Sequence, residues 1–278
     1  MPELPEVETI RSQLSERIPG RRIDTIAVYD EKTVSPLAPG EFEEAVTGQT
    51  ILAVNRYGKY LEFPLRSGSA IALHLRMTGR LHWRPGSADD GTRFLKLELT
   101  FDDGSSLVFG DMRRFGRAWL LPEDGAARRD YWARKVGIEP LGAAFTAKVL
   151  EQVLDGRRGP IKPTLLNQSI VSGLGNMYVD EALFQAKIHP LRRAGSLATR
   201  EIIALHRAMR DRLRVAVAHG GASIDSYRDG LGQRGSMQDY LKVHLHEGEA
   251  CPRCGCVVVK TRVAQRGTYW CPTCQPEP

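Results

Sequence analysis

The first 250 of the 278 residues contain no cysteine; all five lie between Cys251 and Cys274. An odd, clustered set is not a disulfide framework, and it suits a reducing compartment. Long apolar runs are missing too: none reaches the roughly 18 residues of a membrane span. The opening MPELPEVETI carries proline and glutamate where a secretory leader would be basic and then apolar. The expectation is a cytoplasmic protein with no membrane partner. There is no internal repeat. A chain of this length can bury roughly three quarters of its unfolded surface, so it needs no staples for general stability.

What is present is an excess of basic charge. The formal net charge is +6 and the isoelectric point ≈ 9.1. That balance favours anionic partners, nucleic acid first.

Hydrophobic spacing divides the chain. Leu4, Val7, Ile10, Leu14 and Ile18 recur every three or four residues and predict one amphipathic helix, closed by Gly20. RIDTIAVYD, QTILAVNRYGKYLEFPL and AIALHLRM read as strands. In FLKLELTFDDGSSLVFGD, Leu95, Leu97, Leu99 and Phe101 alternate with polar residues and DDGS marks a hairpin turn. AFTAKVLEQVLDG, NMYVDEALFQAKI and SLATREIIALHRAMRDRLRVAVAHGG then read as helices, the last with Ser196 as its expected N-cap. GIEPLG reads as a linker and the Gly-rich ASIDSYRDGLGQRGSM as a mobile loop.

Near the end, CPRC, sixteen residues and CPTC place Cys251, Cys254, Cys271 and Cys274 as two C-x-x-C knuckles. That spacing suits one tetrahedral zinc held by four thiolates. Cys256 is the odd thiol. The intervening VVVKTRVAQRGTYW predicts a hairpin displaying Lys260, Arg262 and Arg266, either a solvated basic ribbon or a contact to DNA phosphates.

The first residues have two readings. Pro2 and Pro5 with Glu3, Glu6 and Glu8 suit a first helical turn and its dipole. Alternatively, removal of Met1 frees Pro2 as a secondary amine. An α-amino group titrates near pH 8, so a useful fraction is unprotonated at neutrality. Such an amine can attack an anomeric carbon and form an iminium, with Glu3 moving protons.

PELPEVET, GKY around Lys59, HLRMTGR, DMRRFG, IKPTLLNQ, SGLGNMYVDEAL and the cysteine module, in that order, resemble the formamidopyrimidine-DNA glycosylase family from end to end. The longer LPEVET match favours its oxidised-purine branch over the endonuclease VIII branch. The resemblance implies an α+β fold. An N-terminal antiparallel β-sandwich domain with its N-terminal helix spans 2–122 and a linker spans 123–145. A helical DNA-binding domain with a helix–two-turn–helix spans 146–245, and a β-hairpin zinc finger spans 246–278. It implies a bifunctional glycosylase and apurinic/apyrimidinic lyase of base excision repair, acting as a monomer on double-stranded DNA that contains oxidised purines or abasic sites.

By the same resemblance Pro2 is the nucleophile, Glu3 the acid/base and Glu6 its support, while Lys59 contacts a phosphate and assists catalysis. Met77, Arg113 and Phe115 fill the gap left by the extruded base. His74, Lys162, Gly175, Asn176 and Arg266 contact the backbone, and one structural zinc sits on the four cysteines. Two departures stand out. Asn167 replaces the family's usual aspartate, with little effect expected. Val243-His244-Leu245-His246 replaces a VYGR-like segment, which puts contacts from that stretch in doubt. Two other readings remain: the same chemistry on oxidised pyrimidines, and a non-catalytic lesion-binding protein. A zinc-ribbon transcription factor fits the last thirty residues and leaves the rest unexplained.

Overall fold

The computed structural model describes residues 1–86 and 92–278, which divide into two compact units. The first comprises 1–134 and 217–238, the second 135–216 and 239–278.

In the first unit, helix α1 (Leu4–Ser15) presents the expected stripe. Leu4, Val7, Ile10 and Leu14 are buried, each such aliphatic side chain contributing about 1.5–3 kcal/mol. Two four-stranded antiparallel sheets follow. One has the order β1-β6-β7-β5, from β1 (Ile23–Val28), β5 (Gly79–Arg84), β6 (Leu95–Phe101) and β7 (Ser106–Asp111). The other has the order β2-β3-β4-β8, from β2 (Asn55–Tyr57), β3 (Tyr60–Pro64), β4 (Ala70–His74) and β8 (Arg117–Leu121). Val7, Ile10 and Leu14 share one core with Leu61, Phe63, Leu73, Leu97, Leu99 and Phe101. The sheets therefore close on a common interior as a sandwich.

Two helices of this unit were not foreseen. Helix α2 (Pro39–Val46) buries Phe42 and Val46. Helix α3 (Gly125–Lys135) lies within the stretch read as a linker and buries Trp132. The Trp132 ring stacks on Tyr57 at 4.5 Å and its indole N–H donates to Glu62 (3.0 Å).

The second unit carries α4 (Ala147–Leu154), α5 (Ile161–Leu166), α6 (Asn176–Ala186) and most of α7 (Thr199–Ala218). It ends in an antiparallel hairpin, β9 (Val259–Val263) with β10 (Arg266–Trp270). Thr146 caps α4 by accepting from the Val149 N–H (3.2 Å). Ser196 is not the N-cap of α7: it sits in a short 3-10 turn. The helix starts at Thr199, where the Glu201 carboxylate reaches back to the Ala198 N–H (2.8 Å). No helix among the described residues is long and apolar enough to cross a membrane.

Candidate functional site

Pro2, Glu3 and Glu6 are buried together at the start of α1, under an exposed Met1. Glu3 is the N-cap residue, and its N–H donates to Glu6 Oε2 (2.8 Å). The other oxygen of Glu6 accepts from the Ala222 N–H (2.8 Å). Glu6 thus ties the helix start to the segment 222–237, read above as a mobile loop. That expectation is corrected by the contacts the segment makes. Ser223, Tyr227 and Met237 are buried. The Tyr227 hydroxyl donates to the carbonyls of Glu6 (3.2 Å) and Gly220 (3.1 Å). Burial, with the charges of Glu6 and Asp229, raises its pKa. Gln13 on α1 donates to Asp229 (2.8 Å) and accepts from the Gly230 N–H (2.7 Å). Gly221 takes φ +77, and a Cβ there would stand 2.9 Å from the Glu6 side chain, so only glycine lets the segment approach.

Lys59 is buried in the two-residue loop between β2 and β3. His74, at the end of β4, is also buried. Its Nδ1 accepts from the Arg76 N–H (2.9 Å) and its ring meets Tyr60 edge-on at 4.5 Å.

Met77, Arg113 and Phe115 are exposed on two loops of the same unit, Met77 by 41% and Phe115 by 47%. Core packing, the ordinary reading of a Met and a Phe beside strands, does not apply to them. One buried carboxylate joins the loops. Asp111 accepts from the Thr78 hydroxyl, from the Arg113 N–H (3.2 Å), from the Phe115 N–H (2.8 Å) and from the Gly116 N–H (2.7 Å). The Arg113 N–H also donates to Thr78 Oγ1 (3.1 Å). The Arg113 guanidinium lies over the Phe115 ring, 5.0 Å from its centroid. Between them Arg114 takes φ 59 and turns back to donate twice to Asp30 (2.6 and 2.9 Å). That pairing holds the Asp30 pKa at about 2. Sequence reading missed Asp111, Thr78 and Asp30. The available signal was an aspartate leading a loop, a residue type that collects local N–H groups.

In the second unit, Gly175 caps α6, Asn176 is its first residue, and Arg266 is exposed at the start of β10. Gln168 holds the SGLG turn, accepting from the Gly173 N–H (3.0 Å) and donating to the Leu166 and Leu174 carbonyls (2.9 and 2.8 Å).

Lys162 departs from its expected role as a phosphate contact. Its side chain is fully buried, and Nζ donates to Asp180 Oδ1 (2.7 Å), Thr268 Oγ1 (2.8 Å) and the Gly267 carbonyl (3.1 Å). Asn176 Nδ2 donates to the same carbonyl (2.8 Å). Both residues therefore fasten α5 and α6 to the hairpin beside Arg266. The stretch that departs from VYGR is structural as well. The N–H groups of Lys242, Val243 and His244 converge on the buried Glu181 carboxylate (2.9–3.0 Å). His244 Nδ1 lies 2.8 Å from Asp180 Oδ2.

The ligand sulfurs of Cys251, Cys254, Cys271 and Cys274 all lie within 4.8 Å of one another. The pairs 251–274 and 254–271 are 3.9 and 3.4 Å apart. Four thiolates about 2.3 Å from a tetrahedral zinc stand about 3.8 Å apart, so the set fits. The chemistry of the donors agrees. Burial pushes the Cys271 thiol up to about 12, whereas the Cys256 backbone N–H, with the neighbouring thiols, draws Cys254 down to about 7. A divalent cation is what lets all four ionise together. Cys256 lies outside this set.

The formamidopyrimidine-DNA glycosylase N-terminal domain matches residues 1–118, its H2TH domain residues 136–228, and the zinc finger found in FPG and IleRS residues 248–276. The formamidopyrimidine-DNA glycosylase of Pelotomaculum thermopropionicum is 43% identical over 99% of both chains. A Lactococcus lactis FPG mutant, solved with a Fapy-dG-containing DNA, is 37% identical with a TM-score of 0.91, over 99% of this chain and 100% of that one. MutM in complex with DNA containing carbocyclic 8-oxo-G is 36% identical with a TM-score of 0.90, over the same shares. Motifs, sandwich, four-thiol cluster and full-length similarity agree, and the chain belongs to the formamidopyrimidine-DNA glycosylase family.

Proposed function

We propose that this enzyme is a bifunctional DNA glycosylase and apurinic/apyrimidinic lyase of base excision repair, removing oxidised purines from double-stranded DNA through Pro2. The observation that carries the reading is the buried Pro2–Glu3–Glu6 cluster at the start of α1. Once Met1 is removed, the Pro2 nitrogen attacks C1′ of the damaged nucleotide. The bond from C1′ to the base breaks, and the base leaves with a proton. Glu3 protonates the ring oxygen as the sugar opens, giving a C1′ iminium. The iminium acidifies the C2′–H. Loss of that proton expels the 3′ phosphate, and a second elimination expels the 5′ phosphate. Glu6 holds the Glu3 backbone in place, and Lys59 contacts a phosphate beside the lesion.

Extrusion of the base leaves a gap that exposed Met77, Arg113 and Phe115 suit by shape and polarity, with Arg113 donating to the orphaned cytosine. His74, Gly175, Asn176 and Arg266 make the remaining backbone contacts, which gives a salt-dependent affinity. Lys162 is left out of that set because its ammonium is buried inside the protein. The zinc held by Cys251, Cys254, Cys271 and Cys274 supplies folding energy to the hairpin and takes no part in the chemistry. The relatives' complexes with Fapy-dG and 8-oxo-G DNA support oxidised purines as substrates. Along the chain the functional segments are 2–122, 123–145, 146–245 and 246–278, although in the fold 123–134 and 217–238 pack with the first unit and the hairpin with the second. The enzyme acts as a monomer on the chromosome, in the bacterial cytoplasm.

Borohydride reduction during turnover tests the reading. Met-free protein with an abasic duplex gives a covalent adduct, and Pro2→Gly keeps DNA binding while losing lyase activity. Intact Met-free protein that binds the duplex and yields no adduct overturns it in favour of a non-catalytic binder.

A further inference from the structure

Lys59 follows Gly58, which takes φ +58 at the first position of the two-residue β2–β3 loop. A Gly-X hairpin loop reserves that position for glycine. It is also the softest point of the backbone, directly before a side chain whose placement matters. Arg56 on β2 compensates for this. Its largely buried guanidinium, 8% exposed, donates through Nε to Glu8 Oε2 (2.6 Å) and through a second nitrogen to the Gly58 carbonyl (3.0 Å). Glu8 stands on α1, the helix whose first turn holds Glu3 and Glu6. Its other oxygen accepts twice from Arg11 (3.0 and 2.7 Å). Burial works to raise the Glu8 pKa, but hydrogen bonds from Arg11 and Arg56 outweigh it and keep the carboxyl ionised below its usual value.

We infer that Arg56, clamped by Glu8, is a positioning residue that fixes Lys59 relative to the helix carrying Pro2, Glu3 and Glu6; the inference rests on the role proposed above for Lys59. The Gly58 carbonyl belongs to the rigid peptide plane that ends at the Lys59 Cα, so pinning its oxygen sets the direction in which Lys59 leaves the loop. A guanidinium makes both contacts at once because its donors form a planar fork; an ammonium has no such geometry. Glu8 supplies the second anchor from a rigid element that also bears the proton-transfer carboxylate. The bridge therefore joins two groups nearly fifty residues apart in sequence.

A double-mutant cycle on single-turnover cleavage of an abasic duplex tests this. Arg56→Lys slows the reaction about 10- to 100-fold in the wild-type background, and Glu8→Gln slows it in the same direction. In a Lys59→Ala background neither substitution changes the remaining rate by more than about 2-fold, because the group being positioned is gone. Losses that multiply independently of Lys59 overturn the inference and make the bridge a general support. Should Arg56→Lys fail to fold, Glu8→Gln alone completes the cycle, since it keeps the shape of the side chain and removes only its charge. A Lys59→Ala protein as fast as wild type removes the proposed role of Lys59 and this inference with it. A slow Lys59→Ala protein with fast Arg56→Lys and Glu8→Gln removes the inference alone.

Discussion

Replacing Lys162 by alanine separates a folding role from a DNA contact. The ammonium and the Asp180 carboxylate are both fully buried 2.7 Å apart, and the lysine also holds Thr268 and the Gly267 carbonyl. Taking away one member of a buried pair leaves an uncompensated charge and costs about 3–5 kcal/mol. For a domain of about this size, that lowers Tm by roughly 6–20 °C. Calorimetry of the zinc-loaded protein reads this directly. A second substitution, Asp180→Asn, removes the stranded charge and recovers part of the loss, so the two are non-additive. A phosphate contact behaves differently: Tm stays put and the slope of log affinity against log salt flattens by about 0.9. An unchanged Tm with a flattened slope refutes the buried-clamp account.

Arg113→Ala loses the preference for cytosine opposite the lesion, read as cleavage rates on duplexes with each opposite base; unchanged ranking removes its assignment. Cys254→Ser releases zinc and weakens duplex binding by unfolding the hairpin, and normal binding by zinc-free protein contradicts this. Asp30 contributes a pH dependence whose sign follows from its depressed pKa. Its stabilisation is complete above the unfolded carboxyl pKa near 3.9 and is lost as pH falls toward about 2. Asp30→Asn accordingly flattens Tm against pH in that window, and a curve parallel to wild type disproves the linkage.

The parts legible in the sequence were those set by local pattern. The stripe of α1, the alternation Leu97-Leu99-Phe101 and the two cysteine knuckles each need only neighbouring residues to be read. Helix α3 was missed because it buries only Trp132, too little for a periodic signal, and α5 because it is six residues long. The segment 222–237 looked mobile because glycine and polar residues dominate it. Its anchors are Glu6 and Gln13, more than two hundred residues away. Lys162 misled for the same reason: partners more than a hundred residues downstream turn an apparent surface cation into a buried one. Pro2, Glu3 and the thiols stood out because their chemistry is unusual at those places, whereas the carboxylate that aligns the exposed triad was one ordinary aspartate among many.

The two oxygens of Glu6 face in different directions, one to the Glu3 N–H and one to the segment after α7. Any event that lifts that segment also strips a hydrogen bond from the carboxylate, and so loosens its hold on the backbone amide of Glu3. The order of that segment and the order of the helix start are therefore not independent variables: whatever displaces the one slackens the other.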